Sequence, residues 1–309
     1  MSPHATVFAL DERSPVAASR QRAAIVMLAF VTLWFVIEIV VAAAFRHVAI
    51  WEVIFVRYAV HLAIVLAMWG RKAPWRTRRL RYQLARSSLM LVMPGAFVLG
   101  TASAAPEWIN TIFWSAPAMV LVFAALLGGD RAARRTWAAA ALGGIAAWLY
   151  FAPSGFPSPG AVLFGLASGG SFALYFPMTR RLRDEPLHTN LFYTAVVPWV
   201  GLLAFMPHVW ATPAWPEVLA LLFVGAGGWI ALLLLDRAAE AAPVSSAAPL
   251  LHLQIGFSML VSFFARAYPG PRHFAVITAL LIGVVSLAWP GLWREKGQVV
   301  AAAMGEGSL

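Results

Sequence analysis

The chain has 309 residues, 61% of them hydrophobic and only 12% charged, with a net charge of +10. Soluble domains are nearer half apolar and a quarter charged, and the apolar residues here fall in long blocks, so the composition describes a polytopic membrane protein. The basic residues lie in short loops between those blocks, as the positive-inside rule expects, and not in a nucleic-acid-binding face. There is no cysteine, which excludes disulfides, thiolate metal sites and cysteine nucleophiles. The seven histidines show no HxxxH or HxH spacing, so no metal site is expected.

Residues 1–23 are polar and carry Arg13, Arg20 and Arg22 ahead of the first apolar run. Ala42-Ala43-Ala44 mimics a signal-peptide cleavage site. The run is too long for a signal peptide's apolar region and more runs follow, so it reads as a retained span. In chain order the expected spans are 24–44, 50–69, 86–103, 109–127, 137–152, 160–178, 190–206, 216–235, 244–264 and 273–290. Trp51, Trp69, Trp75, Trp108, Trp137, Trp210, Trp215, Trp289 and Trp293 fall near span ends, where an interfacial belt belongs. The stretch Ala104–Phe151 shows the plan in miniature. One apolar run is interrupted by Pro117, a turn follows at Gly128-Gly129-Asp130-Arg131, and an Ala/Gly-rich run comes after it.

The loops alternate in charge. One side takes Arg13, Arg20, Arg22, Arg71, Lys72, Arg76, Arg78, Arg79, Arg81, Arg86, Arg131, Arg134, Arg135, Arg180, Arg181, Arg183, Arg237, Arg294 and Lys296. The other takes Arg46, Arg266 and Arg272, and Arg57 lies within a span. Both termini are therefore expected in the cytoplasm. The expected units are a tail over 1–23, five helices over 24–152, five over 160–290 and a tail over 291–309. Five helices per half places the second half upside down relative to the first, the inverted-repeat plan of many secondary transporters. Ala116-Pro117 is echoed by Ala248-Pro249, and 142–145 loosely by 281–284.

Several segments resemble the EamA branch of the drug/metabolite transporter superfamily, with the S-adenosylmethionine-uptake-like members as the nearest pattern. Trp51-Glu52-Val53-Ile54-Phe55-Val56-Arg57 resembles the entry to the second span of that branch. Arg76-Thr77-Arg78-Arg79 with Leu84-Ala85-Arg86 resembles its link into the third span. Pro106-Glu107, Thr111, Ala116-Pro117 and Asp130-Arg131 resemble the run through its fourth span, and Ala248-Pro249-Leu250-Leu251-His252-Leu253-Gln254 resembles a segment of its ninth. The chain departs from the pattern at Asp130, where Glu is usual, at His252, where Tyr is common, and at Arg266, near a conserved Gly-Glu of the branch. The resemblance implies ten helices around a central cavity, alternating access and no cofactor or ATP.

Within the expected spans Glu38 is the deep acidic residue and Arg57 the deep basic one. Both lie roughly 10 Å below the outer surface, on neighbouring spans, so the two side chains can meet and are expected to pair or to face water. Arg57 can bind a substrate carboxylate or phosphate, with Glu38 as counter-ion or proton site; a permanent ion pair or a snorkelling Arg57 is the structural alternative. His61 shares the Arg57 face. Trp34 and Trp114, with Trp199 and Trp229, lie inside spans and can stack on a substrate or simply pack. Thr111, Tyr175, His252 and Gln254 supply polar groups for a cavity or for helix–helix bonds. Pro117 and Pro249 are candidate hinges, and Asp130-Arg131 a candidate gate that pairs with the basic loop between spans 2 and 3.

The sequence thus reads as an all-α, bacterial-type inner-membrane transporter of a small organic metabolite, not an enzyme. A membrane acyl or glycosyl transferase is the alternative, but it lacks a nucleophile or acid/base cluster here. The expected partners are the solute, the lipid bilayer and no nucleic acid, with protons and a second copy of the chain as further candidates.

Overall fold

The computed structural model describes residues 15–45, 47–70, 75–265 and 270–289. Expectations resting on Arg13, Arg46, Arg71, Lys72, Arg266, Trp293, Arg294, Lys296 and the 291–309 tail lie outside the described residues.

All regular structure among the described residues is helical. The helices are α1 (Pro15–Ala44), α2 (Ile50–Trp69), α3 (Leu80–Ser103), α4 (Pro106–Phe113), α5 (Ala116–Gly128), α6 (Arg134–Phe151), α7 (Pro159–Arg181), α8 (Leu187–Leu203), α9 (Met206–Val209), α10 (Trp215–Ala241), α11 (Leu253–Phe264) and α12 (Pro271–Ala288). Two 3-10 segments, Val244–Ser246 and Ala248–His252, lead into α11. Seven helical runs are long and apolar enough to cross a membrane; α6, α8 and the run 248–264 are shorter or less apolar. Their outward faces carry bare hydrophobic side chains such as Leu126, Leu163, Phe264 and Ile282, as a lipid-facing surface requires.

Local sequence explains the punctuation. Pro106, Pro159 and Pro271 each open a helix at its first position, where the missing N–H costs nothing. Ser158 caps α7 by accepting from the Ala161 N–H. Gly129 closes α5 in the left-handed region (φ 65°), and the Asp130 and Gly129 amides return to the Ala124 and Ala125 carbonyls.

The observed helices differ from the expected spans in several places, and the expected span 244–264 is two 3-10 segments followed by α11. The first helix begins at Pro15, nine residues before 24. The expected span 109–127 is two helices, because Pro117 cannot donate and the chain breaks at Trp114-Ser115 before α5 starts. The span expected to begin at 86 starts at Leu80, and the one expected to end at 235 runs to Ala241. In both, a charged residue, Arg86 or Asp236, lowered the hydropathy although the helix continues past it and the two face each other inside the bundle.

Helix α1 packs along α10 and α3 along α7; α2 lies against α8 and α10, α3 against α8, and α6 against α12. The two broken segments, α4–α5 and the 3-10 turns before α11, meet one another in the middle. Gly169 of α7 lies against the backbone at the α4–α5 break, where a Cβ would stand 2.9 Å from the Phe113 carbonyl oxygen. Gly169→Val therefore forces backbone apart and lowers stability by about 1–3 kcal/mol. Gly144→Ala, at a position with open space around it, does not destabilise. Thermal melting of the detergent-solubilised variants checks both.

Candidate functional site

The central break sets the site. Residue Trp114 follows the end of α4, and its carbonyl lies 3.0 Å from His252 Nε2. In the Nε2–H tautomer the imidazole donates to it, so a side chain of one broken segment satisfies a backbone group of the other. The Nδ1 atom of the same ring lies 3.2 Å from the Pro249 carbonyl. Pro117 and Pro249 each stand in the first turn after a break.

Beside this junction is an aromatic crevice lined by Phe30, Val31, Trp34, Phe113, Trp114, Phe172, Leu251 and Gln254. Phe113 stacks on Phe172 at 5.8 Å, and Trp34 lies 6.1 Å from Phe172 on the other side. The crevice offers only about 10 Å³, at most the space of one water. It is closed in this conformation.

At its edge the expected Glu38–Arg57 pair is not made. Glu38 instead accepts from Trp34 Nε1 at 2.6 Å and from Gln254 Nε2 at 2.5 Å. The Arg57 guanidinium lies over the Trp34 ring at 5.4 Å and over Tyr58 at 5.5 Å. Trp34 thus stands between the two charges, with its ring toward Arg57 and its N–H toward Glu38. No carboxylate lies within ion-pair distance of Arg57 among the described residues. Its Nε and the Nε2 of the buried His61 have no hydrogen-bond partner. Gly228 makes room for the guanidinium, since a Cβ there would stand 2.5 Å from Arg57 Nε.

The other expected residues divide. Trp34, Trp114 and Gln254 line the crevice, and His252 sits behind it. Thr111 does not contribute, because its hydroxyl donates to the Glu107 carbonyl of its own helix at 2.7 Å. Trp199 stacks on Phe55, away from the crevice. Asp130 accepts from the amide and hydroxyl of Ser245, at 3.2 and 2.8 Å, and makes no ion pair with the described residues of the loop between α2 and α3. Arg131 is exposed. The contact to that loop comes from Arg79, which donates to the Arg181 carbonyl at 2.7 Å, while Arg181 reaches the Leu127 carbonyl. These groups surround a vestibule of about 690 Å³ at the arginine-rich end, lined among others by Arg79, Asp130, Pro177, Arg180 and Arg183.

Tyr175 belongs to a cluster that hydropathy concealed. Arg86 and Asp236 are both fully buried and stand 3.8 Å apart. Arg86 also donates to Thr179 Oγ1 (3.2 Å), Tyr175 Oη (3.4 Å), the Asn190 carbonyl (2.7 Å) and Thr194 Oγ1 (2.7 Å). Tyr175 donates to Asp236 Oδ1 at 3.2 Å. Glu38 and Arg57 are therefore not the only deep charges. The signal available in the sequence was the helical spacing of Tyr175 and Thr179, and of Asn190 and Thr194, each of which puts two polar groups on one helix face. Among the described residues no group of three His, Asp or Glu side chains is placed to hold a metal ion.

No family model matches the chain. It is 22% identical over 216 residues to an S-adenosylmethionine uptake transporter of Rickettsia bellii, covering 69% of this chain and 74% of that one. Proteins of the same name from Rickettsia felis and Rickettsia conorii align over the same extents at 22% and 21% identity. A solved crystal structure superposes with a TM-score of 0.72 over 86% of this chain and 96% of its own, at 18% identity, which shows a shared fold.

The Arg86 network generates a direct test. Arg86→Met strands Asp236 without its cation and lowers stability by about 3–5 kcal/mol. Arg86→Lys recovers little, because one ammonium cannot span acceptors on both α7 and α8. Melting temperatures close to wild type in both variants would contradict the role given to this network.

Proposed function

We propose that this chain is a secondary transporter that moves a small zwitterionic organic solute of the S-adenosylmethionine or amino-acid type across a membrane by alternating access. The observation that carries the reading is the unpaired arrangement of Glu38 and Arg57 on either side of Trp34 at the mouth of the aromatic crevice. A guanidinium without a carboxylate partner inside a helical bundle is costly unless something anionic or wet reaches it. A ligand carboxylate on Arg57, a cationic group near Glu38 and a flat group against Trp34 and Trp114 would complete the set. The name of the rickettsial relatives favours the same solute class.

The packing supports two inverted five-helix halves, with α4–α5 counted as the fourth span and residues 244–264 as the ninth. Exchanging the halves turns the α1–α10 contact into α7–α3, turns α2–α10 into α8–α3, and leaves α2–α8 and α6–α12 in place. Each of these contacts is present. The two weakly matched stretches even touch, with Leu142 against Gly283. On this reading both termini are cytoplasmic by the charge of the loops, and Pro117 and Pro249 are the hinges. The vestibule at the arginine-rich end is the inner access path and the crevice is the closed site. The bacterial inner membrane is the expected location.

Proteoliposome uptake of labelled S-adenosylmethionine and of methionine tests the proposal. Wild type transports at least one of them, Arg57→Ala loses at least about tenfold in apparent affinity, the equivalent of one charge-assisted bond, and Gly228→Val reproduces part of that loss by displacing Arg57. Uptake unaffected by both substitutions would remove Arg57 from the site.

A further inference from the structure

We propose that Asp236 is the proton-binding site that couples solute movement to a proton gradient, and that it works by loosening the layer between crevice and vestibule. The inference rests on the transport reading above and names the residue that drives it.

Position comes first. Along α7, the crevice ends at Phe172 and the vestibule begins at Pro177. Four residues lie between them, and the five helical steps from one to the other amount to about 7–8 Å of rise. Tyr175 and Phe176, both buried, fill that layer. Tyr175 is bonded to Asp236, so the carboxylate sits in the barrier that a solute must cross between crevice and arginine-rich end.

The second argument is the bonding of the carboxylate. Asp236 is fully buried, yet its Oδ2 has no hydrogen-bond partner, and the nearest cation stands at 3.8 Å. The Arg86 guanidinium meanwhile is committed to neutral oxygens on α7 and α8. These bonds do not need the carboxylate charge. A proton on Oδ2 thus frees α10 from α3 while Arg86 keeps its hold on α7 and α8. Glu38 is the contrasting case, since both of its oxygens already accept hydrogen bonds.

Surrounding charge agrees. The charged and titratable groups that act on Asp236 are Arg86 from α3, Tyr175 from α7, and Arg237 and Glu240 from its own helix; α8 contributes the neutral Thr194 and Asn190 around Arg86. Arg180, a vestibule residue, donates to the Ala239 and Glu240 carbonyls, one helical turn beyond Asp236. The proton comes from water in the vestibule or the opposite compartment, binds Oδ2, and leaves to water on the other side when the layer re-forms.

The experiment uses full-length protein in liposomes with a trapped pH dye and labelled S-adenosylmethionine as the probe. In wild type, solute entry changes lumenal pH, and a pH gradient of one unit drives accumulation of up to about tenfold for one proton per solute. Asp236→Asn keeps exchange of labelled for unlabelled solute but loses both gradient-driven accumulation and the pH signal; Asp236→Glu restores them. Accumulation that persists in Asp236→Asn overturns the proposal. If that variant does not fold, wild type decides: solute uptake with no pH change overturns proton coupling and leaves the transport reading standing. No uptake of any solute removes both.

Discussion

A helix that breaks inside a membrane must satisfy its freed backbone groups with protein, because lipid has nothing to offer them. Here part of that constraint is met within the chain segment, where the Ser115 hydroxyl donates to the Ile112 carbonyl, and part by the Trp114 carbonyl against the His252 imidazole. The second contact ties the break before Pro117 to the break around Pro249. The rest of the bundle is arranged to bring them together. Gly169 lets α7 approach the first break, and the 3-10 turns Val244–Ser246 and Ala248–His252 carry the second to it. An irregular backbone in this position leaves a seam lined by whatever side chains flank it, and here those are Trp34, Phe113, Trp114 and Phe172.

Two polar layers bracket that seam and use charge differently. At the crevice, Trp34 keeps Glu38 and Arg57 apart, leaving an anion and a cation that each retain binding capacity. Toward the arginine-rich end, Arg86 is surrounded by acceptors from three helices. A guanidinium held by neutral oxygens is well suited to a dry interior, since its fork spreads the charge over several bonds. Asp236 is the less satisfied partner, and the asymmetry within the pair is what makes one member replaceable by a proton. At the far end of the bundle, Glu52 is fully buried and accepts from the Ala211 amide at 3.0 Å, closing α2 onto the connection between α9 and α10.

Much of this was legible in the sequence. Long apolar runs, terminal tryptophans, the Gly128-Gly129 turn and the Pro117 interruption each report local physics, and the helices follow them to within a few residues. The paired Ala-Pro steps marked the two breaks. What escaped was anything that depends on partners distant in sequence. Arg86 looked like one more loop arginine because its acceptors lie about ninety or more residues away on α7 and α8. Asp236 was read as the end of a span for the same reason. Glu38 and Arg57 were expected to meet because their spans are neighbours; the ring of Trp34, one turn before Glu38, takes the place between them. Hydropathy averages over a window, and a single buried charge with good partners is invisible to an average.

The closed crevice and the open vestibule then follow from one arrangement rather than two. Six residues of α7 carry the wall from Phe172 to Pro177, and Tyr175 among them is held by α3, α8 and α10 through Arg86, Thr194 and Asp236. Opening a path through that wall means moving α10 relative to α3. The Arg86–Asp236 contact joins these two helices in the wall, and polar contacts between helices in a membrane contribute only about 0.6 kcal/mol each on average. A barrier made of such contacts can be opened by changing one charge, whereas a barrier of interlocked leucines would need the whole interface to separate. Burial of a charged pair in the layer between crevice and vestibule, costly for stability alone, is therefore understandable as the means by which that layer can yield.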